Sequence, residues 1–173
     1  MSEDCKIISP NEIIKKLNNS IFCLKSSLMA QAWNTCYQEL GRELGDKADG
    51  VILLTVGLPS SGKTQAALTE ENMAAYDVIF DGGCPHKLTR SAIINISIGA
   101  GWEIDCLHMT TPYNMCRNRN HRNANGQRIP FEAFRNLAKT YTEPKSYEGF
   151  RKILKVDTSG LGQAVPGTEA TTY

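Results

Sequence analysis

The sequence predicts a three-layer α/β fold, with a parallel sheet of about four strands preceded by N-terminal helices. Three observations carry that expectation. The first is Val51-Ile52-Leu53-Leu54-Thr55-Val56, an apolar, β-branched run that reads as a strand buried on both faces. The second follows at once: Gly57-Leu58-Pro59-Ser60-Ser61-Gly62-Lys63-Thr64 matches the phosphate-loop pattern G-x-x-x-x-G-K-[ST], and Gln65-Ala66-Ala67-Leu68 opens a helix behind it. Strand, glycine-rich loop and helix in that order are the signature of the P-loop NTPase fold. The third is the alternation of short apolar runs with helical patterns downstream, which implies parallel strands joined by crossover helices.

Taken in order, Ser9-Pro10-Asn11-Glu12 reads as a helix start, with Ser9 as N-cap, Pro10 at the first helical position and Glu12 closing a capping box. Ile14, Leu17, Ile21, Leu24 and Leu28 recur at helical spacing, followed by Trp33, Cys36, Tyr37 and Leu40. Asn18-Asn19-Ser20 and Ser26-Ser27 offer break points between two helices, and such stripes are packing faces. The phosphate-loop helix is expected to run to about Ala75, and 77–81 forms a short strand ending in Asp81. A helix over 86–99 packs Leu88, Ile93, Ile94 and Ile96 to Ile98, and 103–109 alternates as a strand. Thr111-Pro112 opens a helix leading into 117–128, which holds four arginines and no acid. A further helix shows Phe131, Phe134, Leu137 and Tyr141 on one face, and 152–156 is the last strand. The spatial order expected for the strands is 77–81, 51–56, 103–109, 152–156.

Composition bounds the rest. A chain of 173 residues with 41% hydrophobic and 21% charged residues suits one globular domain. The net charge of +1 is unevenly placed. Residues 1–50 carry six Lys/Arg against seven Asp/Glu, whereas residues 82–157 carry twelve against six. The six cysteines form no C-x-x-C pair, and the three histidines are scattered, which argues against structural zinc. With no membrane-length apolar run and no signal peptide at the start, the expectation is reduced thiols and an intracellular location, cytoplasmic or nuclear.

The loop states its own chemistry. Gly57, Ser60, Ser61 and Gly62 turn backbone amides toward phosphate oxygens with Pro59 in the same binding loop, Lys63 reaches the β- and γ-phosphates, and Thr64 offers its hydroxyl to Mg²⁺. Asp81, at the end of the next strand, is the expected partner of that ion. ATP and Mg²⁺ are therefore the expected ligands. Arg122 is the candidate for stabilising a transferring phosphoryl group, with Arg119 second, and Arg90 reads either as a site residue or as a helix-surface charge. Arg117, Arg119 and Arg128 are candidates for nucleic-acid phosphates. Glu70 and Glu71 lie on the loop helix, and His121 reads as loop filler.

The phosphate loop, Asp81 with Arg90 nine residues on, Arg119-Asn120-His121-Arg122, Ile129-Pro130, Glu143-Pro144 and Tyr147-Glu148-Gly149-Phe150 together resemble the kinase domain of polynucleotide 5′-hydroxyl kinases. The resemblance spans 51–75 and 77–157 and leaves out the N-terminal helices. It implies transfer of the ATP γ-phosphate to a 5′-hydroxyl of RNA or DNA or to a small hydroxyl substrate, with Arg122 on a mobile lid. It divides the chain into an N-terminal helical segment (1–49), a P-loop kinase-like domain (50–157) and a disordered tail (158–173). The D-x-T-N motif of the family reads Asp81-Gly82-Gly83-Cys84 here. Only 18 positions separate Lys63 from Asp81, where the family places an extra strand and helix carrying the Asp that accepts the substrate proton. Asp81 is then either that base or, as its spacing to Arg90 argues, the phosphate-side acid. On the second reading the chain binds nucleotide with catalysis impaired.

Overall fold

The computed structural model describes residues 5–19, 25–123 and 128–160. Five parallel strands form one sheet in the order β1 (Lys6–Ile8), β3 (Val78–Phe80), β2 (Val51–Val56), β4 (Glu103–Met109) and β5 (Lys152–Val156). Four of them stand in the expected spatial order. The fifth is a correction: β1 comes from the segment expected to be purely helical, and Ile7 pairs with Ile79 in register.

Because strand side chains alternate, each face of the sheet collects its own core. Ile52, Leu54, Val56, Val78, Phe80, Ile104 and Cys106 point to one face. They pack with Ile13 and Ile14 of α1 (Pro10–Leu17), Cys36, Leu40 and Leu44 of α2 (Ser26–Gly45), and Ile93 and Ile94 of α5 (Lys87–Gly99). Leu53, Ile79, Leu107 and Met109 point the other way. There they meet Ala67 of α3 (Lys63–Ala67) and Tyr76, which follows α4 (Glu70–Ala75). The result is an α/β arrangement compatible with the expected three layers.

Several local expectations change. The helix behind the glycine loop is two short helices, because the Thr69 hydroxyl accepts the Asn72 amide and starts α4 afresh. Ser9 caps α1 by position alone: its side chain makes no cap bond, and the Glu12 carboxylate accepts from Lys15 instead. Leu88 (85% exposed) and Ile98 on α5 face outward, as does Phe131, whereas Phe134 of α7 (Phe131–Thr140) is buried. Thr158 is also buried, so a disordered tail does not begin at 158 as expected; 161–173 lie outside the described residues, as do Ile21, Cys23 and Leu24. The remaining helix, α6 (Tyr113–Arg122), carries the basic stretch, of which 124–127 are not described. Among the described residues no helix is long and apolar enough to cross a membrane.

Candidate phosphate site

The glycine loop leaves β2 at the carboxyl end of the sheet, where open parallel sheets present their ligand crevice. One polar residue interrupts the apolar strand, and it faces this site. The Thr55 hydroxyl donates to Asp81 Oδ1 at 3.0 Å, while Thr64 donates to Oδ2 at 2.6 Å. Asp81, buried just past β3, is thus held beside the loop by two hydroxyls. The loop is pinned to the next turn by the Gly57 amide, which donates to the Gly83 carbonyl at 3.0 Å. Ser60 adopts a left-handed backbone with φ of 60°, uncommon for a residue with a Cβ and a form of strain that gathers at ligand sites.

What the loop does not satisfy matters more. Among the described residues, the amides of Ser60, Gly62, Lys63 and Thr64 donate to no protein group. The Ser61 hydroxyl is buried and has no partner either. Lys63 is half-buried; its ammonium donates to the Leu58 carbonyl at 2.6 Å, and burial pulls its pKa below 10.5 against the opposing pull of Asp81. Four amides, a hydroxyl and a cation are gathered on one short loop, donors of the kind that suit an anion. Gly83 keeps the lysine in place: its φ is +73°, and a Cβ there would lie 2.9 Å from Lys63 Cε.

The arginines divide. Arg119 donates to the Thr158 hydroxyl and carbonyl, each at 2.6 Å, and Thr158 in turn donates to the Ser61 carbonyl at 3.0 Å. Thr111 donates to the same carbonyl at 3.0 Å. Arg119 therefore reaches the loop through Thr158. Arg122 is exposed in the last turn of α6 and has no ion pair or hydrogen bond among the described residues. Its neighbour Asn123 donates to Ser60 Oγ at 3.3 Å, which brings that end of α6 to the loop. Arg117 and Arg128 are exposed.

Arg90 is neither a site cation nor a surface charge. It is fully buried, with Nε and Nη2 forked onto Glu148 at 2.7 and 2.8 Å. Its Nη1 reaches the carbonyls of Cys84 and Thr142. The acid-to-arginine and Glu-Gly-Phe segments thus meet in one buried ion pair. Thr55, Thr111 and Thr158 belong to the site, and sequence reasoning passed over all three. Only Thr55 carries a sequence signal, as the lone hydroxyl in an apolar strand. Neither a protein-family model nor a curated protein matches the chain.

Proposed function

We propose that the chain is an ATP-binding P-loop protein of kinase type, similar to the polynucleotide 5′-hydroxyl kinases, acting on a 5′-hydroxyl of RNA or DNA. The observation that carries this reading is the set of unpartnered donors on the loop, the amides of Ser60, Gly62, Lys63 and Thr64 with the Ser61 hydroxyl. These suit a multiply charged phosphate chain. Lys63 supplies positive charge there, and the Thr64 hydroxyl with the Asp81 carboxylate would hold Mg²⁺. That ion neutralises phosphate charge when bound. The exposed Arg122, beside a residue that touches the loop, suits a cation that closes over the phosphates. Incubation with labelled ATP, Mg²⁺ and 5′-hydroxyl oligonucleotides tests the reading: label should pass to the oligonucleotide end.

A second reading, nucleotide binding with impaired transfer, is favoured by one observation. The sheet edge beside Asp81 is held by β1, whose exit is Ile8-Ser9-Pro10, with no carboxylate. Asp81 itself is tied to Thr55 and Thr64. A positioned base contributes about 10²–10⁴-fold, so turnover should fall well below the roughly 1 s⁻¹ at which ordinary kinases start. Turnover above that on any 5′-hydroxyl substrate would exclude the second reading.

A further inference from the structure

Thr55 is fully buried, the one hydroxyl in β2, and the two sides of that hydroxyl serve different groups. Its oxygen accepts the Gly83 amide at 3.2 Å, which closes the turn after Asp81. Its proton goes to Asp81 Oδ1 at 3.0 Å. The Gly83 amide needs only an acceptor, so closing the turn leaves the donor side unexplained. The other carboxylate oxygen, Oδ2, accepts from Thr64 at 2.6 Å. One oxygen is held from the strand and the other from the loop, so the carboxylate is fixed in orientation. Asp81 is only 6% exposed, yet among the described residues it makes no ion pair. Lys63 feels its charge without closing on it.

A buried carboxylate without a cation is costly, and a Mg²⁺ ion carried on phosphate oxygens needs only one or two carboxylates from the protein. We propose that Thr55 is a positioning residue for that ion. By holding Oδ1 it aims Asp81 at the Mg²⁺ that accompanies ATP, and so it sets the Mg²⁺-dependent part of nucleotide affinity. The proposal rests on the ATP-binding reading above and deepens it. Outer-shell hydrogen bonds orient the groups that ligate a metal, and losing one typically costs about 10- to 100-fold in metal affinity. The same hydroxyl also reaches the lysine side of the site, but only through the turn. The Gly83 carbonyl accepts the Gly57 amide at 3.0 Å, and Gly83 leaves room for the stem of Lys63. Removing the hydroxyl therefore acts on the metal side directly and on the lysine side at one remove, and Mg²⁺ separates the two.

A non-hydrolysable ATP analogue is titrated calorimetrically into the parent and its Thr55 variants, each with Mg²⁺ and with EDTA. Thr55→Val keeps the branched shape and loses the hydroxyl, Thr55→Ala loses both, and Thr55→Ser keeps the hydroxyl. In the parent, Mg²⁺ should tighten binding. In Thr55→Val the affinity with Mg²⁺ should fall about tenfold further than the affinity in EDTA, and Thr55→Ala should follow it. Thr55→Ser should recover most of the difference. In an Asp81→Asn background, Thr55→Val should change the Mg²⁺ effect by less than about twofold, because the carboxylate it orients is gone. Equal losses with Mg²⁺ and with EDTA would reduce Thr55 to a support of the turn and overturn the proposal. A Mg²⁺ effect that survives in Thr55→Val and Thr55→Ala, or the same extra loss in the Asp81→Asn background, would also overturn it. If the parent binds the analogue with no Mg²⁺ effect, the proposal falls and the phosphate-loop reading stands. If the parent does not bind the analogue at all, both fall.

Discussion

The turn from Gly82 to Pro85 separates two cations that the fold treats in opposite ways. Lys63, half-buried, lies on one side and Arg90, fully buried, on the other. Arg90 is fully engaged: a forked pair with Glu148, the Cys84 and Thr142 carbonyls, and the Thr142 hydroxyl use its whole guanidinium. Lys63 has one carbonyl, inside its own loop, and is surrounded by amides that also lack partners. A buried cation whose bonds are complete belongs to the architecture. A cation left among unpaired donors is what the proposed ATP-binding role requires.

The sharpest way to break this contrast is to remove Arg90. Arg90→Met leaves Glu148 buried and unpaired, and breaking such a pair costs about 3–5 kcal/mol. Urea unfolding should show an unfolding free energy lower by that amount, while the fraction still folded binds ATP as the parent does. A small loss of stability with a large loss of ATP affinity would move Arg90 into the site.

The two sides should also separate by pH. Burial opposes the charge on Glu148, but its bonds to Arg90 and to the Lys145 amide outweigh burial and hold its pKa below 4.5. The folded state binds that proton less readily than the unfolded chain, so the pair's contribution is present above pH 4.5. It is lost as pH falls through the lowered value. Lys63 works in the same sense but in an alkaline window. Burial lowers its pKa, so between that lowered value and 10.5 the unfolded chain holds a proton that the folded chain has shed, and stability rises with pH. Against the parent's stability curve, Glu148→Gln and Lys63→Met should each lose the matching limb. An acid limb that survives in Glu148→Gln would contradict the assignment.

The smallest expected effect belongs to Thr158, which links Arg119 to the Ser61 carbonyl. Thr158→Val removes one hydroxyl from that chain, a loss of about 0.5–1.5 kcal/mol in stability, together with a few-fold weakening of ATP binding. Thr158→Ser should restore both. An identical result for Val and Ser would mean that the hydroxyl does not position the loop.

What could be read in the sequence follows from how local the signal is. The loop was legible because a continuous apolar strand and fixed glycine spacing lie within fourteen consecutive residues. Strand 103–109 was legible through its alternation, and it forms as expected. The three residues of β1 are too few to show a period, and only β3, some seventy positions away, makes them a strand. Arg90 and Glu148 are 58 positions apart, so nothing near either one reveals their pairing. Thr158 looked like tail because its partners lie on the loop and α6. The restart of α4 at Thr69, by contrast, was there to be read: Thr followed by two acids is a helix-start pattern.

The contrast between the two cations stands or falls on one titration. Mg·ATP is titrated calorimetrically into the parent protein and into Lys63→Ala. The account predicts saturable binding at one site, weakened by about 1.5–3 kcal/mol in the variant, which is roughly 10- to 150-fold, with no loss of folding stability. Absence of binding in the parent, or equal affinity in both proteins, would contradict it.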